Sequence, residues 1–185
     1  MTPLKGKLIY KLITKQDGKI ILPDTAKNRS TASVVVAVND DGSGIHANDI
    51  ILHNMRYNGR VEHYIVNGED HKIMDTDDVF AKVIGGKIIP VKDWIFCKMV
   101  IPESTIAGAF NIKDCTEVIV CSVSVNGDKG LPINIGSKYL ISGWEKDMQQ
   151  FQFDPNGDCY LFMKADNLVA EVIPSHENVI PMFKN

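Results

Sequence analysis

Two stretches of the chain repeat each other at a constant step. Residues 67–84 read NGEDHKIMDTDDVFAKVI and residues 156–173 read NGDCYLFMKADNLVAEVI. Gly68 and Gly157, Met74 and Met163, and Ile84 and Ile173 each lie 89 positions apart. One step held over the whole stretch constrains the fold more than any other feature, because it implies one structural unit present twice. Earlier segments echo in the same order: LIYKL with WIFCK, ASVVVAV with TEVIVCSV, and HANDIIL with NIGSKYL. The junction falls near Gly85–Lys87. The expected units are therefore residues 1–85 and 86–175, followed by a tail over 176–185.

Within each unit the apolar segments are short, rich in Val and Ile, and punctuated by Gly and Pro. KLIYKLI, SVVVAVND, NDIILHNM and EHYIVNG read as strands in the first half. WIFCKMV, EVIVCSVSV, SKYLISG, FQFD and DCYLFM read the same way in the second. The best helical candidate, DTDDVFAKV, is too short to set the class. So many short strands in fewer than ~90 residues per copy predict an all-β protein of two tandem small barrels, closure being the way such units remove sheet edges.

With 185 residues, 44% of them hydrophobic, the chain has material for a real core in each copy. A formal net charge of −3 lacks the basic stripe of a duplex nucleic-acid binder. Tyr10, Tyr57 and Tyr64 are too scattered to form a stacking platform for single strands. No apolar run approaches the ~20 residues of a membrane span. MTPLKGKLIYKL resembles neither a secretory signal nor a transit peptide, so no membrane role and a cytoplasmic setting are expected.

Cys97, Cys115, Cys121 and Cys159 form no CxxC pair, and three stand in strand-like context, which predicts buried free thiols. His46, His53, His63, His71 and His176 lack ligand spacing, so no metal is expected. Gly42-Ser43-Gly44 lies in a short turn and not before a helix, and no GxGxxG is present. No motif arranges residues for catalysis.

One stretch fits the core pattern poorly. In DGKIILPDTAKNRS, Asp17 to Ser30, a turn-prone Asp17-Gly18 precedes the aliphatic triplet Ile20-Ile21-Leu22, and Pro23 ends it. The triplet is either an inward-facing strand or a segment held out for a partner. Pro23 fixes its own φ and biases Leu22 toward an extended conformation, which restricts the free segment.

The first half resembles the co-chaperonin family, GroES and its mitochondrial and plastid relatives. GKIILPDTAKNRS resembles the family's loop signature and SVVVAVN its Gly-x-Val-x-Ala-Val-Gly strand. IHANDIILH resembles its strand entry with Gly-Asp, and GEDHKIMDTDDVFAKV its closing strand. The four cover about residues 6–84 in order. Ser33, Asn39 and Asn48 stand where the family usually has glycine. Asn39 and Asn48 are expected as turns, since Asn adopts left-handed backbone at low cost. NDDGSGIHAND is shorter than the hairpin that roofs the bacterial dome, as in some virus-encoded members.

The resemblance implies tandem GroES-like barrels with no cofactor and no activity as an enzyme. It also implies a cap for the ATP-bound state of a GroEL-like chaperonin, bacterial or virus-encoded. The binding residues would be Gly18, Ile20, Ile21, Leu22 and Pro23. Lys27 and Arg29 are expected to be solvated. The second copy carries IAGAFNIKD in place of GKIILPD. Ile106, Ala107, Gly108, Phe110 and Ile112 are then either a diverged second binding loop or part of a copy that serves a homo-oligomeric ring. Four chains would place eight barrels in one ring, and seven chains could stack them in two layers. The alternative is a structural or modulatory interaction protein that reuses the barrels without capping.

Overall fold

A computed structural model describes residues 2–13, 32–39, 42–53, 63–101, 116–124, 133–142, 149–152 and 159–173, with the backbone alone at His63 and 149–152. The fold is all-β. Seven strands form the first antiparallel sheet: β1 (Lys7–Leu12), β2 (Ala32–Val38), β3 (Ile50–His53), β4 (His63–Val66), β5 (Glu69–Asp75), β6 (Val79–Ile84) and β7 (Lys87–Pro90). Their spatial order is β4-β5-β1-β2-β3-β6-β7. Six form the second: β8 (Trp94–Met99), β9 (Glu117–Val123), β10 (Lys138–Ile141), β11 (Gln149–Gln152), β12 (Cys159–Lys164) and β13 (Leu168–Glu171). Their order is β11-β12-β8-β9-β10-β13.

The two sheets repeat each other down to their irregularities. A bulge between Ile9 and Tyr10 in the β1–β2 ladder recurs between Phe96 and Cys97 in β8–β9. A second, between Leu52 and His53, recurs between Leu140 and Ile141. The acidic segment once read as helical is a single 3₁₀ turn, Thr76–Asp78, and its counterpart is Ala165–Asn167. Asn48 sits at φ 70° and Gly136, its equivalent, at φ 90°. The N–H groups of these two donate to Val35 O and Val120 O, both at 2.8 Å. The left-handed backbone expected at Asn48 is therefore present. At Asn39 it is not; that side chain instead donates from Nδ2 to Pro3 O at 3.3 Å.

The ladders also correct one equivalence. Lys7 pairs with Asp75, and Trp94 pairs with Lys164, the residue 89 positions beyond Asp75. Lys7 therefore matches Trp94 and Leu8 matches Ile95, one residue away from the match of LIYKL with WIFCK. The difference is consequential, since a one-residue slip turns every side chain to the other face.

Each sheet encloses a core. Leu8, Tyr10, Val35, Ile45, Ile51, Val79 and Val91 fill the first. Ile95, Cys97, Met99, Val118, Val120, Tyr139, Ile141, Leu161 and Met163 fill the second. A third cluster joins the halves: Ala32, Leu52, Phe80 and Ala81 from the first against Trp94, Phe96 and Phe162 from the second. Phe80 stacks on Phe162 at 5.5 Å between ring centroids and meets Trp94 edge-on at 4.6 Å. Strand β8 is thus buried on both faces. Ile95 and Cys97 enter the second core while Trp94 and Phe96 cover the first half. That explains why WIFCKM reads as a continuous apolar run and not as an alternating one.

Candidate functional site

The first copy's loop leaves the sheet between β1 and β2. Its base is closed by a backbone hydrogen bond from Ile13 N–H to Ala32 O at 3.2 Å. In the second copy Val100 N–H donates to Glu117 O at 3.0 Å at the corresponding place. The paired ends are 19 positions apart in the first copy and 17 in the second. Gly18, Ile20, Ile21, Leu22 and Pro23, with Lys27 and Arg29, belong to 14–31 and lie outside the described residues. So do Ile106, Ala107, Gly108, Phe110 and Ile112, within 102–115. The structure therefore gives the frame of both loops and not the placement of their side chains.

That frame differs between the copies. At the first base, Ala32 belongs to the aromatic cluster shared by the halves, and Ile13 packs against it. The loop is thus anchored where the two sheets meet. Next to Ala32, Ser33 is buried with its hydroxyl 2.8 Å from His53 Nε2, and the ring of Tyr10 meets His53 edge-on at 5.0 Å. Burial, then the negative charges of Asp78 and Asp70, pushes the Tyr10 phenol up to about 12. In the second copy Val118 and Ile141 stand at the positions of Ser33 and His53, and both are buried. The polar pair is a feature of the loop-signature copy, and a lone His in a strand gave no sequence signal for it.

The short segment expected to leave the barrel without a roof folds inward. Ile45 is buried in the first core, and its N–H donates to the Ser43 hydroxyl at 3.3 Å. His46 N–H donates to the Asp49 carboxylate at 2.8 Å, and Lys82 Nζ donates to Gly44 O at 2.6 Å. Lys82 also lies 3.4 Å from Asp49. Gly42 and Gly44 take φ values of 79° and 70°, which bulkier residues adopt only with strain.

Among the described residues no group of three or more His, Cys, Asp or Glu side chains could hold a metal. His53 and His71 are buried, the latter with Nδ1 2.9 Å from Glu69 O. Cys97 is buried, and Cys121 and Cys159 are half-buried; all three are free thiols. Burial pushes the Cys121 thiol up, which disfavours the reactive thiolate. Cys115 and His176 lie outside the described residues. No helix among the described residues is long and apolar enough to cross a membrane.

A family model described as the chaperonin 10 kDa subunit, Cpn10, matches residues 1–83. Co-chaperonin GroES of Rubrobacter xylanophilus is 31% identical over 85 residues, which cover 44% of this chain and 93% of that protein. The chain belongs to the Cpn10 family. Co-chaperonin GroES of Thermosipho africanus is 32% identical over 87 residues, covering 44% of this chain and 93% of the relative. That of Treponema denticola is 33% identical over 86, covering 44% and 94%. A nearly whole Cpn10 relative thus corresponds to less than half of this chain. The family match ends inside β6, so the two loop bases compare a matched Cpn10 copy with a second sheet that repeats its ladders.

Proposed function

We propose that this chain is a co-chaperonin that caps the ATP-bound state of a GroEL-like chaperonin in the cytoplasm and assists protein folding inside its cavity. The observation that carries the reading is the Cpn10 match over residues 1–83, with the signature GKIILPDTAKNRS lying between strands whose base is closed. Ile20, Ile21 and Leu22 enter an apolar groove on the chaperonin, Gly18 serves as the upstream hinge, and Pro23 limits the conformations of the free loop. The chaperonin hydrolyses the ATP; this chain supplies binding, with no cofactor and no catalysis.

Magnitudes favour weak single contacts used in number. Burying three large aliphatic side chains is worth roughly 1.5–3 kcal/mol each. Ordering perhaps-free loop backbone opposes this at about 1–2 kcal/mol per residue. The terms nearly cancel over a loop of this size, so one loop binds weakly. Several loops on one assembly bind together because each later attachment is effectively intramolecular. Release then follows when the chaperonin changes state.

A second reading, an interaction protein that keeps the barrels and has lost capping, is favoured by one observation. The second copy's IAGAFNIKD lacks Leu-Pro at the loop position. Binding to a purified GroEL-like chaperonin, with and without ATP, separates the two. Capping predicts nucleotide-dependent binding that is lost when Ile20, Ile21 and Leu22 are all replaced by Ser. Equal binding by the triple variant, or none by the intact chain, supports the second reading.

A further inference from the structure

We infer that the free edge of the second sheet, β13, is a docking site for residues Thr2–Leu4 of another copy of this chain. The inference comes from the repeat and does not depend on chaperonin binding. Inside the chain, the segment leading into the second sheet docks on the first one. Strand β7 pairs with β6, placing Pro90 opposite Ala81 and Ile89 opposite Lys82. Val91 N–H then donates to Phe80 O at 3.0 Å, and the Val91 side chain is buried in the first core.

Both partners of that contact have equivalents that are uncovered. Lys7 N–H donates to Leu4 O at 3.0 Å just as Trp94 N–H donates to Val91 O at 3.1 Å. Thr76 N–H donates to Gly6 O and Ala165 N–H to Asp93 O, both at 2.9 Å. Leu4 is therefore the counterpart of Val91, and Pro3 of Pro90. Yet Leu4 is 78% exposed where Val91 is 3% exposed. On the receiving side, β13 corresponds to β6 and ends its sheet with a neighbour on one edge only, β10. Val169 stands at the position of Phe80 and is 63% exposed against 1%. Leu140, counterpart of the buried Leu52, is 39% exposed, and Ile173 beside the strand is 77% exposed.

A second copy of the chain carries the one segment known from this structure to fit such an edge. Leu4 N–H of one copy would bond to Val169 O of the next, with Pro3 opposite Ala170 and Thr2 opposite Glu171. The contact joins unlike surfaces, so it propagates head to tail and closes as a ring if the rotation allows. Barrels of the two kinds then alternate in one layer, and their number is even. This is the side-by-side order of the four-chain ring, not the stacked order of seven chains.

The test mixes two single variants, Thr2→Cys and Glu171→Cys, under mild oxidation. Residues opposed across an antiparallel ladder have Cα atoms about 4.5–5.5 Å apart, within disulfide reach. Expected is a disulfide between the two chains, identified by mass spectrometry of the joined peptides and absent when either variant is oxidised alone. Introducing Leu4→Asp into the Thr2→Cys chain should abolish it. Leu4→Asp alone should lower the native mass to that of one chain without changing the circular dichroism spectrum. A single-chain native mass for the unaltered protein at micromolar concentration overturns the inference. So does an assembly that survives Leu4→Asp or that forms without the cross-link.

Discussion

Phe80 is the residue through which the first half meets the second, and its removal should be felt in both. Its ring is 1% exposed, stacks on Phe162 at 5.5 Å and meets the edge of Trp94 at 4.6 Å. Phe162, from the second half, is fully buried and also lies 4.9 Å from Phe96. Truncating a buried Phe to Ala typically costs about 3–5 kcal/mol, from lost transfer energy and the cavity left behind. Direct aromatic pairs contribute about 0.5–1.5 kcal/mol beyond their buried area. Phe80→Ala and Phe162→Ala should each cost about 3–5 kcal/mol. The double variant should cost about 0.5–1.5 kcal/mol less than the sum of the singles, since each single has already lost the shared contact. The assay is urea unfolding at fixed protein concentration, because any assembly makes apparent stability concentration-dependent. Additivity within about 0.3 kcal/mol, together with two separate transitions of which each variant moves one, would refute a shared core.

Three further outcomes are expected. Ser33→Ala removes the hydroxyl 2.8 Å from His53 Nε2 in a buried site and should cost about 1–3 kcal/mol in the same unfolding assay, whereas Ser122→Ala on the second sheet should cost far less. The Tyr10 phenol keeps its proton longer in the folded chain, so the folded state binds more protons once pH passes the unfolded value near 10. Stability should therefore fall as pH rises from about 10 to about 12, and Tyr10→Phe should flatten that decline in a pH series of thermal melts. Asn48 occupies left-handed backbone at φ 70°, so Asn48→Gly should be neutral or stabilising and Asn48→Val should cost about 1–2 kcal/mol.

The repeat was legible in the sequence because its clearest stretch keeps one step across a strand, a turn and a strand. Strand positions were legible for the same reason that strands form: short β-branched runs between Gly and Pro. The slip between LIYKL and WIFCK arose where periodicity disappears. Leu8, Ile9 and Tyr10 are all buried, as are Trp94, Ile95, Phe96 and Cys97, and a run buried on both faces carries no alternation to fix its register. The shared aromatic cluster was hidden because Phe80, Trp94, Phe96 and Phe162 look in sequence like core residues of separate copies. Asn48 was readable as a left-handed turn from Asn-Asp before a strand. Asn39 was not, since its backbone runs on from β2 and its side chain is spent on Pro3. Loop chemistry showed the opposite balance: Ile20-Ile21-Leu22-Pro23 is explicit in the sequence, while the structure contributes the closed base at Ile13 and Ala32.

Capping is tested most directly by the fate of a client held on the chaperonin. A non-native protein bound to a GroEL-like ring is exposed to a protease in the presence of ATP, with this chain or with the Ile20/Ile21/Leu22-to-Ser variant. The account predicts that the intact chain shields the client from digestion and that the variant does not. Digestion at the same rate with the intact chain, the variant and no added chain would contradict it.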